Sequence, residues 1–324
     1  GLAVRPSGSP SEAVVRAPPG AILGHVAASD AVIEMAGVVK TFGDVRALDG
    51  LDLTVDAGSA HGFLGPNGAG KTTTLRLLLG LLRSDSGSLR LLGSDPWRDS
   101  VPLHGRLAYV PGEVTLWPSL SGGETIDTLG RLRTGYRPER RDDLIARLDL
   151  DPTKKVSSYS KGNRQKVALI AALACDVELY LFDEPTDGLD PLMAEVFRDC
   201  VRELHRDGRT VLLSSHVLAE VDAVCDRVSI IRSGRIVESG ELAALRHLAR
   251  STVVAVVDGP VDVEGLAGVH EMSVTSTGLE ASVDPAAVPV LIDRLARAGI
   301  VSLEIRPPTL EEMFMRYYDR ADQP

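Results

Sequence analysis

The sequence predicts an α/β protein built on a mainly parallel sheet, with a small α+β domain behind it, and three observations carry that prediction. From about Ala31 short apolar strands alternate with helical patterns, the order that winds a parallel sheet. One of those strands, His61 to Leu64, runs into a glycine-rich turn and then into a helix that is apolar nearly all round and therefore buried. Past about Arg250 the alternation stops, and three strands, one amphipathic helix and a fourth strand follow.

In chain order, residues 1–30 are rich in Pro, Ala, Gly and Ser, bury too little apolar area to offset their ordering entropy, and are expected as a disordered tail. Residues 31–250 are expected as the α/β domain and 251–324 as the smaller one. Within the first, Thr72 to Leu82 is expected as a helix, and 113–170 as a mostly helical insertion. Leu179 to Phe182, Thr210 to Leu213 and Arg227 to Ile231 are expected as further strands. Within the second, Ser251 to Val257, His270 to Ser276 and Leu279 to Val283 read as strands. Asp284 is expected to cap a helix with Pro285 at its first position, Val288, Leu291, Ile292 and Leu295 on its apolar face and Gly299 at its end. A strand from Ile300 to Ile305 follows, then a capping box of Thr309 and Glu312 opening a short helix.

The 324 residues, 44% hydrophobic and 25% charged, are those of an ordinary globular protein with room for two such domains. A net charge of −10 argues against a nucleic-acid partner, since phosphate backbones are bound by an excess of Lys and Arg. Cys175, Cys200 and Cys225 are odd in number and far apart, the pattern of reduced core thiols rather than of disulfides or a metal cage. No apolar run reaches the roughly 18–20 residues that cross a bilayer, because Leu75 to Leu82 is broken by Arg76 and Gly80. No signal peptide is expected either, so a second polypeptide would have to supply any membrane span.

The chemistry concentrates at Gly65-Pro-Asn-Gly-Ala-Gly-Lys71-Thr72, which fits the phosphate-binding pattern of Gly, four residues, then Gly-Lys-Ser/Thr. Gly68 and Gly70 let the backbone curl so that its N–H groups face an anion, Lys71 reaches the β- and γ-phosphates, and the Thr72 hydroxyl can hold magnesium. Asn67, Ala69 and Thr73 complete the nucleotide-binding loop. An incidental glycine-rich turn is the competing reading; the strand before and the helix after speak against it. The apolar strand Leu179 to Phe182 ends in Asp183-Glu184, where Asp183 can hold the magnesium and Glu184 can polarise an attacking water as general base.

Ser160-Lys-Gly-Asn-Arg-Gln165 begins 23 residues before Asp183, Asp187-Gly-Leu-Asp190 follows Glu184, and His216 ends a later strand. With these the chain resembles the ATP-binding cassette (ABC) ATPases over about residues 32–246. The resemblance implies a P-loop NTPase fold with a helical subdomain, ATP and Mg2+ as ligands, and a head-to-tail dimer of two copies. In that arrangement Ser160, Lys161, Gly162 and Asn163 of one copy close over the γ-phosphate held by the other, Asp190 links the two sites, and His216 contacts the γ-phosphate. Phe42 matches the aromatic that stacks on adenine, a buried core aromatic being the alternative. Leu120-Ser-Gly-Gly-Glu124 looks more like the usual signature, but Glu124 lies 59 residues before Asp183, too early to open the helix that leads into that strand. It is expected instead as a helix start capped by Ser121 with Glu124 in the capping box.

Two departures from the family pattern stand out. Tyr109-Val-Pro-Gly112-Glu113 has glycine where the family has a glutamine that touches magnesium, leaving Glu113 either as a substitute ligand or as a solvated loop charge. Lys161 replaces the first signature glycine, adding charge at the phosphate or tolerating a solvent-facing position. Val110-Pro-Gly-Glu, Leu116-Trp-Pro118 and Pro307-Pro-Thr-Leu-Glu-Glu-Met-Phe314 resemble the drug and antibiotic exporter ATPases, which implies a separate membrane permease as partner and a place on the cytoplasmic face of the membrane. Arg outnumbers Lys 29 to 6, which suits a GC-rich bacterial source. Two other readings stay open: a soluble cassette ATPase acting on ribosome or DNA, and a small-molecule kinase that would leave 159–163 and 187–190 without a task.

Overall fold

The computed structural model describes residues 31–248, 250–260, 265–274 and 278–306. The tail 1–30 and the capping box at Thr309 and Glu312 lie outside the described residues. The chain opens with β1 (Ala31–Phe42), β2 (Val45–Asp56), β3 (Ala60–Leu64), α1 (Lys71–Leu78), β4 (Ser86–Leu91), α2 (Ser100–Arg106) and β5 (Leu107–Val110). It continues with α3 (Gly122–Arg131), α4 (Pro138–Arg147), α5 (Lys161–Leu173), β6 (Leu179–Asp183), α6 (Pro191–Arg206), β7 (Thr210–Ser215), α7 (Leu218–Val224), β8 (Arg227–Arg232), β9 (Arg235–Glu241) and α8 (Leu242–Leu248). Then come β10 (Ser251–Val257), β11 (Val269–Val274), β12 (Gly278–Val283), α9 (Val288–Arg297) and β13 (Ile300–Arg306).

The central sheet runs β5-β6-β7-β3-β8-β9, parallel except for β9. Every residue of β3, β6 and β7 is buried, as strands covered on both faces require, and their apolar runs follow from that. Beside it β2-β1-β4 form a separate antiparallel sheet, in which Leu51, Leu53 and Val55 alternate inward at the period of a strand with one buried face. Its inner face closes over α1, with Ile33, Leu48, Leu75 and Leu78 in one core. A second core surrounds α5, whose residues Gln165 to Leu173 are all buried, and includes Phe182 set edge-on to Phe197 at 5.2 Å.

The helix expected over 72–82 is shorter, ending at Leu78. Gly80 sits at φ 64°, Leu81 N–H donates to Arg76 C=O and Gly80 N–H to Leu77 C=O, so the chain closes the helix with a Schellman motif. A side chain at Gly80 would lie 2.1 Å from the Pro96 carbonyl, so the stop is also a packing contact. The region 113–170 is helical in α3, α4, a single 3-10 turn at Val156–Ser158 and most of α5, and it opens with an extended loop from Glu113 to Ser121.

The four strands β11-β12-β10-β13 make an antiparallel sheet with its own core of Val253, Ala255, Val283, Leu291 and Leu295 under α9. Here one expectation fails: α9 starts at Val288 with Pro289 in its first turn, not at Pro285. The Asp284 carboxylate accepts from Arg250 Nε at 2.9 Å and meets His270 Nε2 at 3.0 Å, so those side chains, rather than helix N–H groups, satisfy it. The same two partners hold its carboxyl below the usual range. Gly299, at φ 79°, does end the helix.

All three cysteines are free and buried; burial raises their thiol pKa values, that of Cys200 to about 11, so they stay protonated core residues. His61, in the middle of β3, is equally buried. Its Nε2 is 2.8 Å from Ser229 Oγ, its Nδ1 has no partner, and burial first, then Arg227, lowers its pKa to about 4. The unfolded chain takes up this proton near 6.5 and the folded chain only near 4, so the neutral ring stabilises the fold above 6.5 and that stability is lost as pH falls toward 4. Between pH 7 and pH 5 the loss is on the order of 2 kcal/mol. Urea unfolding at the two pH values, compared with His61→Asn, checks it: the variant lacks this part of the acid destabilisation.

Candidate active site

The loop Gly65 to Gly70 is folded by contacts on both sides. Gly70 adopts φ 115°, and a Cβ there would meet Leu48 Cδ2 at 2.7 Å and Ala47 C=O at 2.9 Å. Ala69 N–H donates to Pro66 C=O and Gly234 N–H to Ala69 C=O, which pins the loop to the β8–β9 turn. Lys71, only 6% exposed, donates from Nζ to Gly65 C=O at 2.5 Å and Pro66 C=O at 3.3 Å, and stands 3.3 Å from Glu184 Oε1. Asn67 and Gly68 are exposed at the loop tip, Thr72 is exposed at the head of α1 and Thr73 is half-buried beside it.

Asp183 and Glu184 arrive at the end of β6, which lies next but one to β3 with β7 between them. Thr72 Oγ1 donates to Asp183 Oδ2 at 3.0 Å, and Ser214 Oγ, from β7, donates to Asp183 Oδ1 at 2.6 Å. Thr72 and Asp183 thus put a hydroxyl and a carboxylate oxygen side by side at the phosphate loop, the hard oxygen donors that would suit Mg2+. Among the described residues no group of three His, Cys, Asp or Glu converges as a metal cage. Glu184 occupies the left-handed region at φ 47°, a cost of about 1 kcal/mol or more for a residue with a Cβ. Its N–H on Ser214 C=O holds it there, and its carboxylate bridges Lys71 through Oε1 and His216 Nδ1 through Oε2 at 2.7 Å. Lys71, Thr72, Asp183, Glu184 and His216 therefore form one connected cluster.

The Ser160 segment lies elsewhere in the same chain. Ser160 caps α5, its Oγ accepting from Asn163 N–H at 3.2 Å. Lys161 Nζ pairs with Asp187 Oδ2 at 2.6 Å, and Gly162 lies so close to Gly188 C=O that a Cβ would approach it to 2.4 Å. Gln165 Nε2 donates to Pro185 C=O at 2.9 Å. These contacts tie α5 to the loop after Glu184, yet among the described residues no hydrogen bond or ion pair joins Ser160–Asn163 to the Lys71 loop. Asp190 caps α6, accepting from Met193 N–H at 3.0 Å. Ser121 and Glu124 do form a reciprocal capping box at the head of α3, and Gly122 gives room to the Tyr159 ring. The Ser-Gly-Gly there serves helix packing.

Gly112 runs behind the Asp-Glu pair, its Cβ position 3.3 Å from Asp183 C=O. Glu113 is exposed on the lip of a groove of about 380 Å³ shared with Leu116, Lys161 and Arg164. Phe42 is 45% exposed at the end of β1, with Lys40 Nζ 5.5 Å from its ring centroid, so the buried-core alternative is excluded. The sequence pattern alone misses Ser214 and gives Gln165 no task. Gln165 closes the quoted signature run, while Ser214 is marked by nothing except its place on the strand beside Asp183.

A phosphate loop at the end of a central parallel strand, a carboxylate pair on the next-but-one strand and a histidine bonded to the second carboxylate define a P-loop ATPase. A family model described as ABC transporter matches residues 48–187, and one described as ATP-binding protein DrrA1-3-like, C-terminal domain, matches 240–318. The chain is 37% identical over 306 residues to a daunorubicin resistance ATP-binding protein, DrrA3, of Streptomyces coeruleorubidus, covering 89% of this chain and 96% of that one. It is 34% identical to the Nod factor export ATP-binding protein I of Sinorhizobium fredii, over 90% of this chain and 87% of that one. An ATP-binding subunit of an ABC transporter of known structure superposes with a TM-score of 0.62 at 27% identity, over 66% of this chain and 92% of that one. The chain belongs to the ABC transporter ATP-binding family and is an ATPase subunit. The ribosome or DNA reading finds no support among these relatives, and the kinase reading accounts for none of the second set of contacts.

Proposed function

We propose that two copies of this chain close head to tail around two ATP molecules, and that hydrolysis drives a separate membrane permease exporting a drug- or antibiotic-like molecule. The observation that carries this reading is the split of one catalytic set into two parts of the chain: Lys71, Glu184 and His216 in one cluster, the Ser160 segment apart from it. A second copy supplies the missing half when the dimer closes.

In the proposed reaction the loop N–H groups and Lys71 hold the triphosphate. Glu184 accepts a proton as water oxygen attacks the γ-phosphorus and the bond to the bridging oxygen breaks, releasing ADP and phosphate. His216, bonded to Glu184, lies where it can donate to the γ-phosphate. The partner's Ser160 segment offers the N–H groups at the head of α5, and Lys161 exchanges Asp187 for the phosphate. Positioning and charge stabilisation carry most of the rate. Magnesium, held by Thr72 and Asp183, supplies charge neutralisation on the phosphates when bound. Glu113 is a candidate further oxygen; an unchanged magnesium dependence in Glu113→Ala would withdraw it. Phe42 stacks on the adenine, and Asp190, at the head of α6, couples the two sites.

The export reading draws on the names of the relatives and on the match of the C-terminal 240–318 region to the DrrA1-3-like model. Among the described residues no helix is long and apolar enough to cross a membrane, which fits a peripheral subunit bound to a permease at the cytoplasmic face. Affinity purification from detergent-solubilised membranes tests it. A polytopic membrane protein in stoichiometric amount is expected; ribosomes or nucleic acid in its place would overturn it.

A further inference from the structure

We infer that Glu220 is a positioning residue for hydrolysis, a carboxylate staple between the loop that carries Glu184 and the loop that carries His216. The inference rests on the roles proposed above for those two residues. Glu220 stands in the first turn of α7, and one of its oxygens accepts from Thr186 Oγ1 while the other accepts from Ser215 Oγ at 2.9 Å. Thr186 lies two residues after Glu184; Ser215 lies immediately before His216. The Ser215 oxygen accepts from Val217 N–H at 2.9 Å, and of the two acceptors its own proton can reach, the Glu220 carboxylate at 2.9 Å is nearer than the Val217 carbonyl at 3.4 Å.

The staple has a fixed base. Val221, the next residue of α7, is fully buried, and its Cγ1 fills the space where a side chain on Gly62 would sit, 2.2 Å from that position. The helix therefore rests directly on β3, the strand that feeds the phosphate loop. It also has something to hold. Glu184 adopts a strained φ, and the loop that follows it is gripped on the α5 side by Gln165 through Pro185 C=O. Glu220 grips the same loop from the α7 side. His216 is more than half exposed, so the 2.7 Å contact between its ring and Glu184 is kept short by what anchors Ser215. Glu220 bonds to neither Glu184 nor His216, so it acts through the two backbones and not on the reacting atoms. A water-activating pair displaced by about 1 Å loses on the order of 10²-fold in rate, which sets the scale of the effect.

Steady-state and single-turnover hydrolysis by the full chain, with fluorescent-nucleotide binding, tests the staple. Glu220→Ala is expected to lower kcat by about 10- to 100-fold while KM and nucleotide affinity stay within about twofold. Glu220→Gln is expected to recover most of kcat, because an amide accepts from one hydroxyl and donates to the other. Placed on Glu184→Gln, the alanine change is expected to cost nothing further, since there is no longer a base to position. Should Glu220→Ala fold poorly, Thr186→Val and Ser215→Ala each remove one arm and are each expected to lower kcat selectively. A wild-type kcat in Glu220→Ala, no recovery in Glu220→Gln, or an equal loss on the Glu184→Gln background would overturn the assignment. If Glu184→Gln itself turned over normally, the reading of the active site would fail; if it were inactive and Glu220→Ala normal, only the staple would.

Discussion

Glu184→Gln is expected to cut ATP hydrolysis by about 10²- to 10⁴-fold while ATP still binds, the range measured when a positioned general base is removed. The amide has the shape of the carboxylate and keeps an acceptor for His216, which reaches Glu184 Oε2 from Nδ1 at 2.7 Å. It cannot take a proton from water. Because binding and closure precede that step, the variant accumulates as an ATP-loaded pair of chains, detectable as a shift to twice the mass in size-exclusion chromatography with ATP. Normal phosphate release would show that another group is the base.

Lys71→Ala is expected to fail one step earlier. Lys71 is 6% exposed, aimed along the loop by two carbonyls and faced by Glu184 at 3.3 Å, so its charge is fixed where the β- and γ-phosphates must lie. Removing such a prearranged cation lowers kcat/KM by about 10²- to 10³-fold. It also leaves Glu184 without its countercharge beside an anionic substrate, so nucleotide affinity falls as well, and no ATP-dependent pair forms. The two variants thus separate: one binds and stalls, the other scarcely binds. Isothermal titration with ATP distinguishes them, and unaltered affinity in Lys71→Ala would contradict the assignment.

Much of the fold and of the site is legible in the order of residues along the chain. The strands β3, β6, β7 and β8 are readable because strands covered on both faces carry short, predominantly apolar runs, and the phosphate loop because its spacing is fixed by backbone geometry. Distinguishing Ser160 from Ser121 depends on distance along the chain, and the capping box of Ser121 and Glu124 explains why the second resembles a signature at all. What stays hidden depends on which strands become neighbours. The antiparallel sheet β2-β1-β4 reads only as more strands, since alternation alone does not say which strands pair. Thr72 meets Asp183 across 111 residues and Ser214 meets it across 31, contacts set by the order β6-β7-β3. Glu220 looks like any acidic residue in a first helical turn, and Asp284 looks like a helix cap until Arg250 and His270 claim its carboxylate.

One mixing experiment tests most directly whether each nucleotide is shared by two chains. Lys71→Ala retains a sound Ser160 segment; Ser160→Asp retains a sound Lys71 and, because Asp also caps helices, a sound α5, but sets a negative charge where the γ-phosphate must come. Each variant alone should be inactive. Mixed in equal amounts, half of the pairs contain one intact composite site, and about a quarter of wild-type hydrolysis should return. A mixture as inactive as its components would mean that each chain works on its own nucleotide, and the shared-site account would be wrong.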